Sequence, residues 1–130
     1  MTEFPSEILL QHVAIVGKTG AGKTHTAKVM VEGLLEDRRR VCILDPTGAW
    51  WGLRLGADGK KAGYPVLIFG GEHGDVPISE RSGKALAGFV ADHDGPVIAD
   101  LSEMLIGERH RFATDFASEL MRLNKRPLHL

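Results

Sequence analysis

The sequence predicts an α/β fold in which a parallel sheet carries a phosphate-binding loop. Residues 17–24, Gly-Lys-Thr-Gly-Ala-Gly-Lys-Thr, fit the pattern G-x-x-x-x-G-K-[ST] at every specified position. The β-branched apolar run 12–16 precedes them and apolar residues at helical spacing follow, so the loop should join a buried strand to a helix. A second apolar run, 41–44, follows that helix without a hairpin turn, which predicts a right-handed crossover and parallel strands.

The loop has the residue types that a polyphosphate requires. Its glycines allow positive φ and a close approach of the backbone, while the loop N–H groups and the helix N-terminus point at an anion. Lys23 is expected to reach the β- and γ-phosphates, and the Thr24 hydroxyl to hold Mg²⁺. The alternative, a chance glycine turn, should arise in roughly one such chain in a hundred. The predicted nucleotide-binding residues are Gly17, Lys18, Thr19, Gly20, Ala21, Gly22, Lys23, Thr24 and His25.

Length and composition bound the possible classes of protein. The chain has room for one domain with a small core, with residues 1–11 as a leader and residues 12–130 as the nucleotide-binding core. Its 16 Lys and Arg against 17 Asp and Glu give no overall basic surface for nucleic acid. The single Cys42, inside an apolar run, predicts a buried reduced thiol and excludes an internal disulfide framework. Without a membrane-spanning apolar stretch or a signal peptide, the sequence predicts a soluble cytoplasmic protein.

Helices and strands alternate after the loop. The first helix should cover residues 23–37 and end in Arg38-Arg39-Arg40, three cations that either complement the helix macrodipole in solvent or contact DNA or another phosphate. A helix over residues 79–92, with Ser79 as its N-cap, should turn Leu86 and Phe89 inward. The other expected elements are strands at 65–69 and 97–100, a helix over 107–124 and the start of a strand at 128–130.

Two connecting segments contain aromatic or ligating side chains. Of Trp50 and Trp51, one ring should anchor the core, and the alternative is base stacking or a subunit contact. A glycine- and lysine-containing loop is expected to follow, up to residue 63. The segment 70–75 holds His73 and two carboxylates, but it lacks the paired spacing of a dedicated metal site, which favours a mobile loop.

Two strand ends carry a carboxylate. Parallel sheets bind ligands beyond the carboxyl ends of their strands, so Asp45 either contacts Mg²⁺ through water or orients a neighbour, or it only opens the turn before Pro46. Hydrolysis also needs an acid at the end of an apolar strand to help hold Mg²⁺, and a group that orients water. Asp100 is the candidate for the first role and Glu103 for the second; otherwise Asp100 caps Ser102 or a nearby turn. Asp100 and Asp45 are thus the catalytic candidates.

From residue 12 to residue 130 the sequence resembles the N-terminal half of the RecA-type core of the HerA/FtsK-superfamily ATPases. The Asp-Pro-x-Gly turn at 45–48 points to this branch, and bacterial HerA-like proteins resemble the chain closely around 50–54. The resemblance implies a P-loop NTPase with a RecA-like, three-layer parallel sheet, ATP and Mg²⁺ as cofactors, DNA as a partner, and a hexameric ring in the complete protein. The stretches that carry it are 12–24, 43–50, 97–102 and 111–130.

Two departures from the family pattern affect the expected mechanism. Ala49 stands where the family often has an acidic residue, and its methyl group can coordinate nothing. In the family, the strand that begins like 128–130 continues into the Walker B Asp-Glu pair, and on that alignment Asp100 closes the preceding strand. The expectation is a sheet incomplete at the C-terminus and a fragment that binds ATP and Mg²⁺ but is hydrolysis-deficient. The alternatives are a stand-alone P-loop phosphotransferase or NTPase using Asp100, and a non-catalytic nucleotide-sensing module.

Overall fold

The computed structural model describes residues 5, 7–56 and 63–130. These residues form two compact units, one ending at Arg39 and the other running from Arg40 to Leu130. Most of the loop expected before residue 63, and part of the expected leader, lie outside the described residues. Within the described ranges, no helix is long and apolar enough to cross a bilayer.

The elements are helices α1 (Lys23–Glu36), α2 (Gly83–Asp92) and α3 (Ile106–Leu123), strands β1 (Cys42–Asp45), β2 (Leu67–Phe69) and β3 (Val97–Asp100), and 3₁₀ helices at Ile8–Leu10 and Trp51–Arg54.

The helix of the first unit confirms the prediction for the segment after the glycine loop. It begins at Lys23 and ends one residue before the expected Asp37. It stops because Arg38 adopts a left-handed conformation, with φ of 56°. This conformation turns the chain so that the Arg39 N–H bonds to the Leu34 carbonyl at 2.9 Å and satisfies a terminal acceptor of the helix.

The strand expected over residues 12–16 is not formed, so that prediction is wrong. No strand is assigned to these residues, and Val13 and Val16 are 45% and 88% exposed. β-branched side chains favour an extended backbone locally, but a strand also needs a neighbouring backbone that completes its ladder of hydrogen bonds. The apolar run supplied the first condition, and no described strand supplies the second.

The second unit contains a three-stranded parallel sheet in the order β1-β3-β2. Cys42 lies opposite Val97 and Asp45 opposite Asp100, while Leu67 pairs with Val97 from the other side. All four residues of the central strand β3 are buried. Parallel strands are expected in sheets whose faces are covered, which fits this burial. The predicted α/β class with a parallel sheet is therefore confirmed, and the arrangement is consistent with an incomplete RecA-like P-loop fold.

The core of this unit lies between one face of the sheet and the helices α2 and α3. Val97 and Ala99 point to this face from β3, because alternate residues of a strand share a side. Phe89 was predicted to point inward, but it is 39% exposed and lies against the rings of Phe69 and His93. The buried residues that the helices contribute are Leu86, Ala87, Val90, Ala91, Phe112, Phe116 and Leu120.

The start of α2 differs from the prediction because Ser79 forms a turn of its own. Its carbonyl accepts the Ser82 N–H at 3.0 Å and its own N–H donates to the Ser82 hydroxyl at 2.9 Å, so the helix begins at Gly83. Gly83 allows close contact with α3: a Cβ there would lie 2.6 Å from the Phe112 carbonyl oxygen and 2.9 Å from the Phe116 nitrogen. A side chain at this point would push the two helices apart.

The C-terminal segment lies beside β1. His129 forms a parallel bridge with Val41, so the predicted start of a strand at 128–130 is confirmed at this residue. Arg40, expected in solvent or on a phosphate, instead donates to the terminal carbonyls of α2 at Val90 (2.7 Å) and Ala91 (3.1 Å), and to the Asn124 side chain (3.0 Å). This guanidinium therefore joins the ends of α2 and α3, where orphan carbonyls require donors.

Candidate functional site

The glycine loop runs directly into α1. Gly20 and Gly22 have φ values of 81° and 88°, a region that side chains rarely tolerate. A turn between them is closed by the Ala21 N–H, which donates to the Lys18 carbonyl at 3.1 Å. Gly22 is the residue before the helix, and the first N–H groups of any helix have no carbonyl partner within it. The positive end of α1 therefore lies directly after the glycine loop.

The Lys23 side chain folds back over this loop. Its Nζ donates to the Gly17 carbonyl at 2.7 Å and to the Lys18 carbonyl at 2.9 Å. The stem of Lys23 packs close to Gly17, since a Cβ added there would lie at ordinary contact distance from the Ala21 Cβ (3.4 Å) and the Lys23 Cγ (3.5 Å). An ammonium held on two backbone carbonyls is positioned to exchange them for phosphate oxygens, which are stronger acceptors.

The residues around Lys23 are accessible to a ligand from solvent. Residues 17–22, Thr24 and His25 are all exposed. In the described part of the chain, no group of three His, Cys, Asp or Glu side chains is placed to hold a metal ion. Mg²⁺ that arrives with phosphates needs only one or two protein ligands, so a single hydroxyl at Thr24 fits the way this ion is bound. The assignment of residues 17–25 to nucleotide remains a prediction.

The two strand-end carboxylates form a pair at the edge of the sheet. Asp45 and Asp100 occupy equivalent positions on neighbouring strands, so their side chains project from the same face. They are 1% and 4% exposed, and they are the buried charged residues of the described structure. Glu103, the candidate for orienting water, is exposed in the turn that follows β3.

Asp45 uses its carboxylate to order the turn that follows β1. Oδ1 accepts the Thr47 N–H at 2.9 Å, the Thr47 hydroxyl at 2.8 Å and the Gly48 N–H at 3.0 Å. Oδ2 accepts the Trp50 N–H at 3.0 Å. A carboxylate has about four acceptor positions, so this one has little capacity left for a ligand. The geometry favours the turn-forming interpretation of Asp45 over the metal-binding one.

One carboxylate oxygen of Asp100 accepts a hydrogen bond, and the other lies against Gly71. Oδ1 accepts the Ser102 N–H at 2.9 Å, which is the predicted local cap. A Cβ at Gly48 would lie 3.4 Å from Oδ2, and one at Gly71 only 2.1 Å from it. Gly48, Gly70 and Gly71 have φ values of 74°, 77° and 70°. No pattern in the sequence identifies these glycines as neighbours of Asp100; the adjacent pair after β2 indicates only a turn.

The loop after β2 is held by side chains of the Trp51–Arg54 helix. The rings of Trp51 and His73 stack with centroids 3.8 Å apart. Arg54 forms an ion pair with Asp75, whose Oδ2 also accepts the Ile68 N–H at 2.9 Å. The Ile68 hydrogen bond, followed by that of Arg54, lowers the pKa of Asp75 below its ordinary value. These contacts join the loop to β2 and to the Trp51–Arg54 helix, and the expected mobility of the loop stays a prediction.

The tryptophans have a different role from the one predicted. Trp50 and Trp51 are both half-buried, so neither ring anchors the core. Leu53, two residues further on, is the buried residue of this segment, at 4% exposure. A ring that stacks on a loop histidine is shielded without entering the core, and the residue pattern alone did not distinguish the two cases.

Comparisons with known proteins identify the family. The family described as "Helicase HerA, central domain" matches residues 5–69, half of the chain's length, including the glycine loop and the Asp45 turn. A DNA double-strand break repair helicase HerA from Pyrococcus furiosus is 39% identical over 51 residues, which cover 38% of this chain and 9% of that relative. No solved structure matches the chain. The chain therefore belongs to the HerA helicase central-domain family.

Proposed function

We propose that residues 17–24 bind the phosphates of Mg²⁺-ATP, and that the chain is the nucleotide-binding part of a HerA-like, DNA-translocating ATPase. The observation that carries this proposal is the Lys23 ammonium, held on the Gly17 and Lys18 carbonyls at the start of α1. Family membership supports it, since HerA is named as a helicase. The Pyrococcus relative is named as a DNA double-strand break repair helicase, and the chain spans about a tenth of its length.

The chain's own residues account for binding by charge and geometry. The N–H groups of the loop and of the first turn of α1 donate hydrogen bonds to the phosphate oxygens. Lys23 exchanges its two carbonyl contacts for phosphate oxygens, and the Thr24 hydroxyl serves as a ligand for Mg²⁺. The ion, when bound, neutralises phosphate charge.

A titration of a fluorescent ATP analogue tests this proposal. Lys23→Ala removes charge-assisted contacts worth about 1.5–3 kcal/mol, so affinity should fall about ten- to a hundred-fold. Lys125→Ala, which deletes an exposed lysine beyond α3, is the matched control and should bind like the parent protein. Equal affinity in the Lys23→Ala protein, measured with the fold intact by circular dichroism, would contradict the phosphate-loop assignment.

The wider role is that of a motor subunit. We infer that the protein acts on DNA, which the word helicase in the description of its family supports, and that it self-associates in a ring, as the resemblance to the HerA/FtsK superfamily implies. Slow ATP turnover is expected from this chain alone, because Asp45 is committed to its turn and Asp100 is followed by Leu101 rather than by a second acid. Steady-state phosphate release, measured with and without double-stranded DNA, checks this expectation. Rapid turnover abolished by Asp100→Asn would favour the alternative of a stand-alone P-loop NTPase.

A further inference from the structure

We propose that Arg40 acts as a latch that closes the C-terminal segment, residues 124–130, over the outer edge of β1. The segment opens and closes as one unit, while the three-stranded sheet stays intact. The latch lies within the unit from Arg40 to Leu130 and does not depend on nucleotide binding. The argument rests on where the Arg40 donors go, on how little sheet pairing the segment has and on what the closed segment covers.

The Arg40 side chain reaches two separate parts of the backbone. Its Nε donates to the His93 carbonyl at 3.1 Å, beside the bonds from the same guanidinium to the last carbonyls of α2. Its Nη1 lies within hydrogen-bond distance of the Asn124 Oδ1 (3.0 Å) and of the Arg126 and Pro127 carbonyls (3.3 Å each). A guanidinium has five N–H donors in a planar fork, so one side chain can serve both parts at once. Arg40 therefore ties the segment to the end of α2.

The segment pairs with the sheet at a single position among the described residues. It forms one parallel bridge, between Val41 and His129. The His129 N–H donates to the Arg40 carbonyl at 3.0 Å, and the His129 carbonyl accepts the Cys42 N–H at 2.9 Å. By contrast, β1 and β3 are paired in register over four residues. Opening of the segment therefore breaks far less of the sheet than separation of the strands does.

The other contacts of the segment are weaker. Arg126 forms an ion pair with Asp94, but the two side chains are 46% and 84% exposed, and exposed ion pairs contribute little to stability. Arg126 also donates to the Ala91 carbonyl at a long 3.3 Å. Leu128 packs against the core but is only partly buried. Closure therefore depends mainly on Arg40, whose charged donors reach the segment at three points.

The closed segment covers an edge of the sheet. β1 is an outer strand in the order β1-β3-β2, so one side of its backbone faces away from β3. An uncovered strand edge pairs readily with another extended chain. The bridge to His129 occupies this side at Val41, so the latch shields the edge there. Parts of a protein that are held by few contacts open locally at a lower free energy than the core. We therefore expect local opening that is limited to the segment.

Hydrogen exchange on the whole chain, followed by nuclear magnetic resonance, tests the latch. The bridge amides, those of Cys42 and His129, form the two backbone hydrogen bonds of the bridge. The β3-to-β1 amides, those of Val97 and Leu101, donate across the sheet at 3.1 and 2.8 Å. In the parent protein the bridge amides should exchange together and at least about tenfold faster than the β3-to-β1 amides, because the segment opens without the sheet. Equal rates at all four amides would overturn the proposal.

The Arg40→Lys variant gives the second readout. Lysine keeps the charge but replaces the planar fork with one ammonium, so it cannot serve the end of α2 and the segment together. The exchange of the bridge amides should speed up by about tenfold or more, while that of the β3-to-β1 amides should change by less than about twofold. Arg39→Lys makes the same change on the exposed neighbouring residue and should alter none of these rates.

Two results with Arg40→Lys would refute the latch. Equal acceleration of all four amides would show that Arg40 stabilises the whole unit, and unchanged rates at the bridge amides would show that the segment closes without it. If the variant does not fold, the rates in the parent protein decide. Because no nucleotide is present, none of these results bears on the proposal for residues 17–24.

Discussion

Asp45 and Asp100 face each other in parallel register, yet only Asp45 engages both of its carboxylate oxygens with its own turn. Their sequence settings look alike, since each closes an apolar strand. The two carboxylates differ in how many hydrogen bonds they receive from the turn that follows each strand. After β1 the chain folds back so that three backbone N–H groups reach the carboxylate, whereas after β3 only one does.

Asp45→Asn should destabilise the protein. The amide group of Asn would place a donor against the Trp50 N–H or, if flipped, against the donors of Thr47 and Gly48. An unsatisfied buried group of this kind costs about 1–3 kcal/mol, which urea denaturation measures directly. Glu103→Gln, on an exposed side chain, serves as the control. Equal stability of the Asp45 variant and the parent protein would contradict the turn-forming role.

Gly83→Ala should destabilise the packing of α2 on α3. The new methyl group would meet backbone atoms of Phe112 and Phe116 at 2.6 and 2.9 Å, and backbone cannot move aside as a flexible side chain can. Overpacking of this kind costs about 1–3 kcal/mol. Gly107→Ala is the matched control, because no heavy atom lies within 4 Å of the Cβ position there. That substitution should stabilise α3 slightly, by about 0.5–1 kcal/mol, and thermal unfolding of both variants tests the contrast.

Cys42 should be inert to thiol reagents in the folded protein. It is 1% exposed, and burial raises the pKa of its thiol to about 12. Because the thiolate is the reactive species, almost none is present at about pH 8. Ellman's reagent should therefore react with the thiol only as fast as the protein unfolds, and at once in denaturant. Rapid reaction under native conditions would show that this part of β1 opens locally.

The contacts of Asp75 should make the free energy of unfolding depend on pH in the acid range. The pKa of this carboxylate is lowered in the fold, first by the Ile68 N–H and then by Arg54. Because the pKa of Asp75 is lower in the folded state than in the unfolded state, where it is about 4, the carboxylate stabilises the fold above about pH 4. This stabilisation is lost as the pH falls through the folded-state pKa. Asp75→Asn should therefore flatten the dependence of the unfolding free energy on pH below about 4. Arg54→Gln should flatten it less, because the Ile68 N–H still bonds to the carboxylate, and an unchanged dependence in Asp75→Asn would contradict this origin.

The glycine loop shows how much of a candidate site a short segment can determine. Gly20 and Gly22 adopt positive φ, Lys23 begins the helix, and these local features were predicted from the pattern. The Asp100 surroundings were not predictable in the same way. Gly48 and Gly71 lie 52 and 29 positions before Asp100 in the sequence, and no local pattern states that they border its side chain.

The sequence by itself determined the positive φ of Gly20 and Gly22, the bounds of the helices to within a few residues, and the strands at 42–45, 67–69 and 97–100. Those features depend on backbone propensity, glycine conformation and hydrophobic spacing within one segment. Only the tertiary structure decided that residues 12–16 form no strand, that Arg40 binds the ends of two helices, and that Asp45 accepts four hydrogen bonds from its turn while Asp100 accepts one from Ser102. Hydrogen-bond partners from distant segments decide the position of Arg40, and the path of the turn after each strand decides which donors reach Asp45 and Asp100.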